Sequence, residues 1–209
     1  MSVIAYDESV APTPDDESFV SSRPTRHEAE EAVRTLIRWA GDDPKREGLL
    51  DTPKRVAKAY EDWYRGYKQD PEEVLARVFE EVEDYDDIVL LNDVRLESMC
   101  EHHLAPIIGK ASIAYLPDKR VIGISKLARL LDIYGKRMQV QEKLTAQVAD
   151  TLQKVLQPKG VAVLLEAEHH CMSTRGVHKP GVTTVTTRFT GAFKDDPKME
   201  ERFLRLCGK

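Results

Sequence analysis

The chain has 209 residues, 41% of them hydrophobic, with 36 Asp and Glu against 31 Lys and Arg and a formal net charge of −5. That length carries one large domain, or one domain with a helical extension, and the apolar share is enough for a core. The acidic balance argues against a nucleic-acid surface, no apolar run approaches the ~18 residues of a membrane span, and the first 22 residues lack the Lys or Arg of a secretory leader, so a cytoplasmic protein is expected.

Residues 1–26 read as a flexible acidic tail. Asp7, Glu8, Asp15, Asp16 and Glu17 are mixed with Pro12, Pro14 and Pro24, and few apolar residues are close enough to pack. A helical region, 27–86, follows. Ala29, Val33, Leu36, Ile37 and Ala40 recur at helical spacing before Gly41. Asp51-Thr52-Pro53 announces a second helix, with Thr52 as cap, Pro53 in the first helical position, and a stripe of Val56, Tyr60, Trp63, Tyr64 and Tyr67. A third, short helix is expected from Pro71, with Val74, Leu75, Val78 and Phe79 facing inward. Arg55 falls in the first turn of the second helix, where the dipole disfavours a cation and a nearby anion would offset the cost.

After an acidic linker, Glu80 to Asp87, the period changes to two, and residues 87–209 read as a separate domain. Ile88, Leu90, Val94 and Leu96 are expected on one strand face, Ile107 to Leu116 forms a second strand, and Pro117-Asp118 turns the chain. Ser125 to Tyr134 reads as a helix with Ile124, Leu127, Ala128, Leu130 and Leu131 as its apolar positions. A longer helix starts near Gln141, striped by Val140, Leu144, Val148, Leu152 and Val155 and ended by Pro158 and Gly160. Val161 to Leu165 is a buried strand. Val182 to Phe193 is the last strand, with Val185, Phe189 and Phe193 on one face. The order β-β-α-α-β-β implies an α+β fold, a sheet with helices on one face.

The chemistry concentrates in two short windows, Ser98 to Pro106 and Glu166 to Met172. Two of the three cysteines and four of the six histidines lie there. Thiolate and imidazole together suit a borderline-soft ion such as Zn²⁺, and neither window alone has enough ligands. Cys100, Cys171 and one histidine make three. No C-x-x-C pair is present, which favours an open catalytic site over a closed structural one. On an extended chain Cys100 and His102 would point the same way; in a turn Cys100 and His103 would converge, and spacing alone does not choose.

Four blocks then carry a resemblance: Ser98 to Pro106, Gly123 to Arg129, Gln139 to Thr145, and His169-x-Cys171-Met172-x-x-Arg175-Gly176. In this order they resemble the GTP cyclohydrolase I family, over roughly Glu31 to Phe193. The resemblance implies the tunnelling fold, in which sheets of several subunits join into a barrel, and a decamer of two pentamers with active sites between subunits. It implies zinc on Cys100, His103 and Cys171, and acid–base roles for His102 and His169. His169 would work at N7 of the base, His102 nearer the ribose oxygen or the bound water. GTP would be opened at C8 with loss of formate and closed again to 7,8-dihydroneopterin triphosphate, the first step of folate and pterin biosynthesis. Glu142 would accept from N1–H and the 2-amino group of guanine, with Gln141 either helping to bind the base or simply facing solvent. The triphosphate, in a chain without a P-loop, would be held by Ser125, Lys126, Arg129 and Arg175, with Arg55 reaching in from a neighbouring subunit. His170 is expected to point away from the metal.

Three other readings compete: a nitrile reductase on the same fold using a nucleophilic cysteine and NADPH, a non-catalytic assembly whose zinc is closed by a second histidine, and a zinc deaminase, whose H-x-E…P-C-x-x-C pattern is absent.

Overall fold

The structure, a computed structural model, describes residues 23–76 and 85–209. Most of the expected tail, Val78, Phe79 and the start of the acidic linker lie outside the described residues. The chain divides into two compact units, Met1–Tyr60 and Glu61–Lys209.

In the first unit, α1 spans Arg26–Trp39. Thr25 opens it with a reciprocal cap: Glu28 N–H donates to Thr25 Oγ1, and Thr25 N–H donates to the Glu28 carboxylate at 2.7 Å. Gly41, at φ +93°, follows the helix end. In the apolar stripe of α1, Val33 and Ile37 are half-buried, whereas Leu36 is 63% exposed, as is Trp39 at 88%. Helix α2, Thr52–Trp63, begins at Thr52 itself, one residue before the expected start at Pro53. Asp51 supplies the anion that the position of Arg55 called for, at 3.4 Å.

The second unit opens with a 3₁₀ turn, Arg65–Lys68, and α3, Pro71–Leu75, whose cap Asp70 accepts from Glu72 N–H. Leu75 is fully buried in the core of the sheet. The remaining elements are β1 Val89–Cys100, β2 Pro106–Leu116, α4 Ile124–Gly135, β3 Met138–Gln139, α5 Gln141–Leu156, β4 Gly160–His169, α6 His170–Ser173, β5 Thr183–Gly191, α7 Ala192–Asp195 and α8 Pro197–Leu206. The β-β-α-α-β-β order of the tunnelling fold is present, with two-residue β3 added. The strands lie in the order β3-β1-β2-β4-β5, antiparallel except for β1 with β3.

Helices α4 and α5 cover one face. Leu127, Leu131, Leu144, Val148 and Leu152 interlock there with Leu96, Ile107, Ile113, Val163 and Leu165. Ile124, expected on the apolar side of α4, is instead 61% exposed. A β-bulge between Leu91 and Val94, with Asp93 at φ +53°, inserts one residue into β1. One extra residue exchanges the faces of everything before it. Ile88 and Leu90 therefore pack on the opposite side of the sheet from Val94 and Leu96, contrary to the single face expected.

That opposite side is covered in part by α7 and α8, which the sequence reading lacked. Strand β5 stops at Gly191, at φ +48°, and Phe193 belongs to α7 and not to the strand. Phe203 of α8 stands edge-on to Phe189 and Phe193, 5.9 and 6.1 Å between centroids, over Ile88, Ala114, Ala162 and Leu164. Among the described residues, no helix is long and apolar enough to cross a membrane.

Candidate active site

The β1–β2 connection makes the first half of the site. Residues 101–103 form a tight turn, and Leu104 takes φ +51°, a strained conformation for a bulky side chain. The turn is closed by Leu104 N–H donating to Cys100 O at 2.9 Å and Cys100 N–H donating to Ala105 O at 2.8 Å. In this turn both His102 and His103 approach the Cys100 sulfur, with Nδ1 at 3.9 and 3.8 Å.

The second half follows β4. Its last residue, His169, pairs with Ile107 of β2, and the chain then turns into α6, which carries Cys171. The two sulfurs lie 3.9 Å apart, although 71 residues separate them in sequence. Among the described residues, Cys100, His103 and Cys171 form the group that could hold a metal ion, their ligand atoms all within 4.8 Å of one another. His102 does not join that group, and its side chain is 65% exposed. Burial pushes the Cys171 thiol up, the adjacent Cys100 adds to the rise, and the charge of Arg175 pulls it back.

His169 is half-buried beside this group. Burial holds its imidazole below the usual range, and the carboxylate of Glu142 works in the opposite direction. Its Nε2 lies 2.8 Å from Gln141 Oε1. Gln141, the first residue of α5, is 1% exposed, and its amide nitrogen donates to Thr184 O, Thr186 Oγ1 and Leu165 O. A solvent-facing Gln141 is thereby ruled out. Glu142, next in the helix, is exposed.

Comparison with known proteins bears on what this arrangement is. The family model for GTP cyclohydrolase I matches residues 29–208. The chain is 60% identical over 187 residues to GTP cyclohydrolase 1 of Maricaulis maris (strain MCS10), covering 90% of this chain and 91% of that one. The figures are the same for the enzyme of Hyphomonas neptunium (strain ATCC 15444). For that of Brucella anthropi they are 56% identity, 91% of this chain and 90% of the other. The chain belongs to the GTP cyclohydrolase I family. It is a hydrolase of the kind that stands at the head of folate and pterin biosynthesis.

Ser125, Lys126 and Arg129, expected to hold the triphosphate, do not lie beside the Cys–His–Cys group of their own chain. Ile122 N–H, just before α4, donates to Tyr115 Oη at 3.2 Å, and Tyr115 pairs with Val89 at the start of β1. Cys100 is at the other end of β1, eleven residues away, or roughly 35 Å at the usual strand rise. Ser125 and Lys126, in the first turn of α4, and Arg129, one turn on, are thus at the far end of the sheet from their own Cys–His–Cys group. Arg175 follows Cys171 closely and is exposed. Arg55 lies on the surface of α2, its side chain 74% exposed. The supporting hydroxyls Thr145 and Thr186 were missed by sequence reasoning. Their alignment with Gln141 depends on the packing of α5 against β5, for which the sequence carries no local signal.

Proposed function

We propose that this protein hydrolyses GTP at C8 of the guanine ring, releases formate and forms 7,8-dihydroneopterin triphosphate, with a zinc ion held by Cys100, His103 and Cys171. The observation that carries the reading is the convergence of two sulfurs and one imidazole from two distant segments. The donor set fits zinc: two soft thiolates and a nitrogen, three ligands, with no fourth side chain in the group among the described residues. When bound, zinc lowers the pKa of a coordinated water to about 7 and so supplies a nucleophile at neutral pH.

The chain's own residues do the rest. His169 exchanges a proton at N7 as the C8–N7 bond opens, and its partial burial keeps it neutral near pH 7 and able to accept one. His102, exposed in the turn, serves the ribose oxygen or the bound water. Glu142 accepts from N1–H and the 2-amino group, a pairing that adenine does not offer. Ser125, Lys126, Arg129, Arg175 and Arg55 hold the triphosphate. Helix α4 suits this role, because it opens with no side-chain cap and no acidic residue in its first turn.

The site is shared between copies of the chain, as in a decamer of two pentamers. The separation of α4's first turn from Cys100 supports this, since only a neighbour's α4 can bring its phosphate ligands to this zinc. Strand β5 supports it too: it is a nine-residue edge strand with five Thr, and its unpaired edge is a template for pairing with another chain. The enzyme works in the cytoplasm, where reduced thiols and GTP are both available.

The deciding experiment is turnover of GTP by purified, zinc-loaded protein, read as a pterin that fluoresces after oxidation and as one formate per GTP. His103→Ala is expected to lose zinc and turnover together. Full activity in zinc-stripped protein, or in His103→Ala, would overturn the assignment.

A further inference from the structure

The hydrogen bonds around Gln141 can be assigned one hydrogen at a time. Its amide nitrogen carries two hydrogens and faces three acceptors, Thr184 O at 2.9 Å, Thr186 Oγ1 at 3.1 Å and Leu165 O at 3.3 Å. Two of these are backbone carbonyls and only accept, so the amide group cannot be turned round. The hydroxyls agree. Thr145 Oγ1 donates its one hydrogen to Gln141 O at 2.7 Å. The 2.7 Å contact between Thr145 and Thr186 must then use the hydrogen of Thr186, leaving Thr186 Oγ1 to accept from Gln141. Gln141 Oε1 is left pointing at His169 Nε2, 2.8 Å away. An amide oxygen only accepts, so His169 Nε2 must carry the hydrogen. In a neutral imidazole the lone pair is then on Nδ1.

We propose that Gln141, locked by Thr186 and Thr145, is a positioning residue that fixes His169 as the Nε2–H tautomer and leaves the ring lone pair on Nδ1. The proposal rests on the acid–base role given to His169 above. It also replaces a direct contact of Gln141 with the guanine base: its oxygen and both amide hydrogens are spent inside the protein, and the side chain is 1% exposed.

Two measurements test it. The first is magic-angle-spinning NMR of protein carrying ¹⁵N in its six histidines, with His169 assigned through His169→Asn. The wild type is expected to show the proton on Nε2. Gln141→Met, which keeps the volume and removes the acceptor, is expected to show a mixture of tautomers. Gln141→Glu, which keeps an oxygen toward Nε2, is expected to restore the single form. The second is kinetic. Gln141→Met should lower kcat on the order of 100-fold, the lower range for acid–base catalysis, with zinc content and KM for GTP unchanged. Thr186→Val, which loosens the lock but leaves the acceptor, should lower kcat several-fold in the same manner. A wild-type spectrum with the proton on Nδ1 overturns the proposal, as does a Gln141→Met enzyme whose KM rises while kcat stands. If the wild type fails to turn over GTP, the function proposed above falls, while the spectrum still decides the tautomer.

Discussion

Gly109 lies on β2 between Leu96 of β1 and Ala167 of β4. A Cβ added there would stand 2.1 Å from Glu166 O, 2.5 Å from Ala167 Cα and 2.6 Å from Ala167 Cβ. Relaxing the first of these to an ordinary 3.4 Å contact requires a retreat of about 1.3 Å. No rotamer change helps, because the obstacles are backbone atoms and a Cβ. Overpacking of this kind costs about 1–3 kcal/mol, and each stretched ladder bond about 0.5–1.5 more, so Gly109→Ala is expected to cost about 3 kcal/mol. For a chain of this size that corresponds to a fall of roughly 6–12 °C in Tm. The consequence reaches the metal group, because the β1–β2 turn carries Cys100 and His103 while β4 leads into Cys171. Moving β4 from β2 pulls the sulfurs away from their 3.9 Å spacing. Zinc affinity should fall about 10–100-fold, the range for disturbed ligand orientation. Urea denaturation gives the first quantity and competition with a chromophoric chelator the second. Gly123→Ala is the control: nothing lies within 4 Å of the added Cβ, φ is −60°, and the cost should stay near 1 kcal/mol. A Gly109→Ala protein within about 0.5 kcal/mol of wild type, with normal zinc affinity, would refute the argument that β2–β4 spacing sets the metal group.

Three further outcomes are expected. Glu142→Ala should raise KM for GTP about 10–100-fold, the value of one or two charge-assisted hydrogen bonds, with zinc content unchanged; loss of zinc would show that Glu142 acts on the metal group instead. Phe203→Ala empties a fully buried ring site flanked by two aromatic partners and should cost about 3–5 kcal/mol, read by denaturation; a cost below about 1 kcal/mol would mean that α8 is not part of the core. Arg202 Nη2 donates to Asp87 at 2.7 Å, and Ile88 N–H donates to the same carboxylate, which together hold it below the ordinary range. A depressed folded pKa makes this tie fully present above the usual carboxylate pKa of about 3.9 and lost as pH falls through the folded value. Amide protection in α8 should therefore fade in acid below roughly pH 4, and Asp87→Asn should flatten that dependence; an unchanged profile in the variant would rule out the pair as its cause.

The sequence disclosed the elements whose signals are local. The stripes of α1, α4 and α5, the Asp70-Pro71 start of α3 and the alternation of β2 and β4 are all statements about neighbours within a few residues, and each element formed where its pattern lay. What was not legible depends on partners far along the chain. The bulge at Asn92-Asp93 has no glycine to mark it, so simple alternation put Ile88 and Leu90 on the wrong face. Phe193 reads as a continuing strand residue until Gly191 takes a positive φ and diverts the chain. Helix α8 carries its apolar residues Met199, Phe203 and Leu204 at helical spacing, so its signal was present, but the face it covers becomes visible only with the sheet.

The site divides along the same line. Spacing alone left His102 and His103 tied. Even the folded turn nearly preserves the tie, with ring nitrogens at 3.9 and 3.8 Å from the Cys100 sulfur. The second sulfur separates them, because only His103 lies within reach of both. A ligand set is thus a property of the β2–β4 pairing, which brings residue 171 to residue 100, and not of either window. Gln141 makes the same point for a neutral side chain. In the sequence it is one more polar residue opening a helix. In the fold it joins α5 to β4 and β5, its amide hydrogens facing two carbonyls that only accept and a hydroxyl whose own hydrogen goes to Thr145. The phosphate role proposed for α4 extends the logic beyond one chain. Ser125 lies at the end of the sheet where Tyr115 receives Ile122, far from Cys100 of the same copy. The proposal that Ser125 and Lys126 hold the triphosphate therefore carries with it the proposal that another copy of the chain supplies the α4 that meets this metal group.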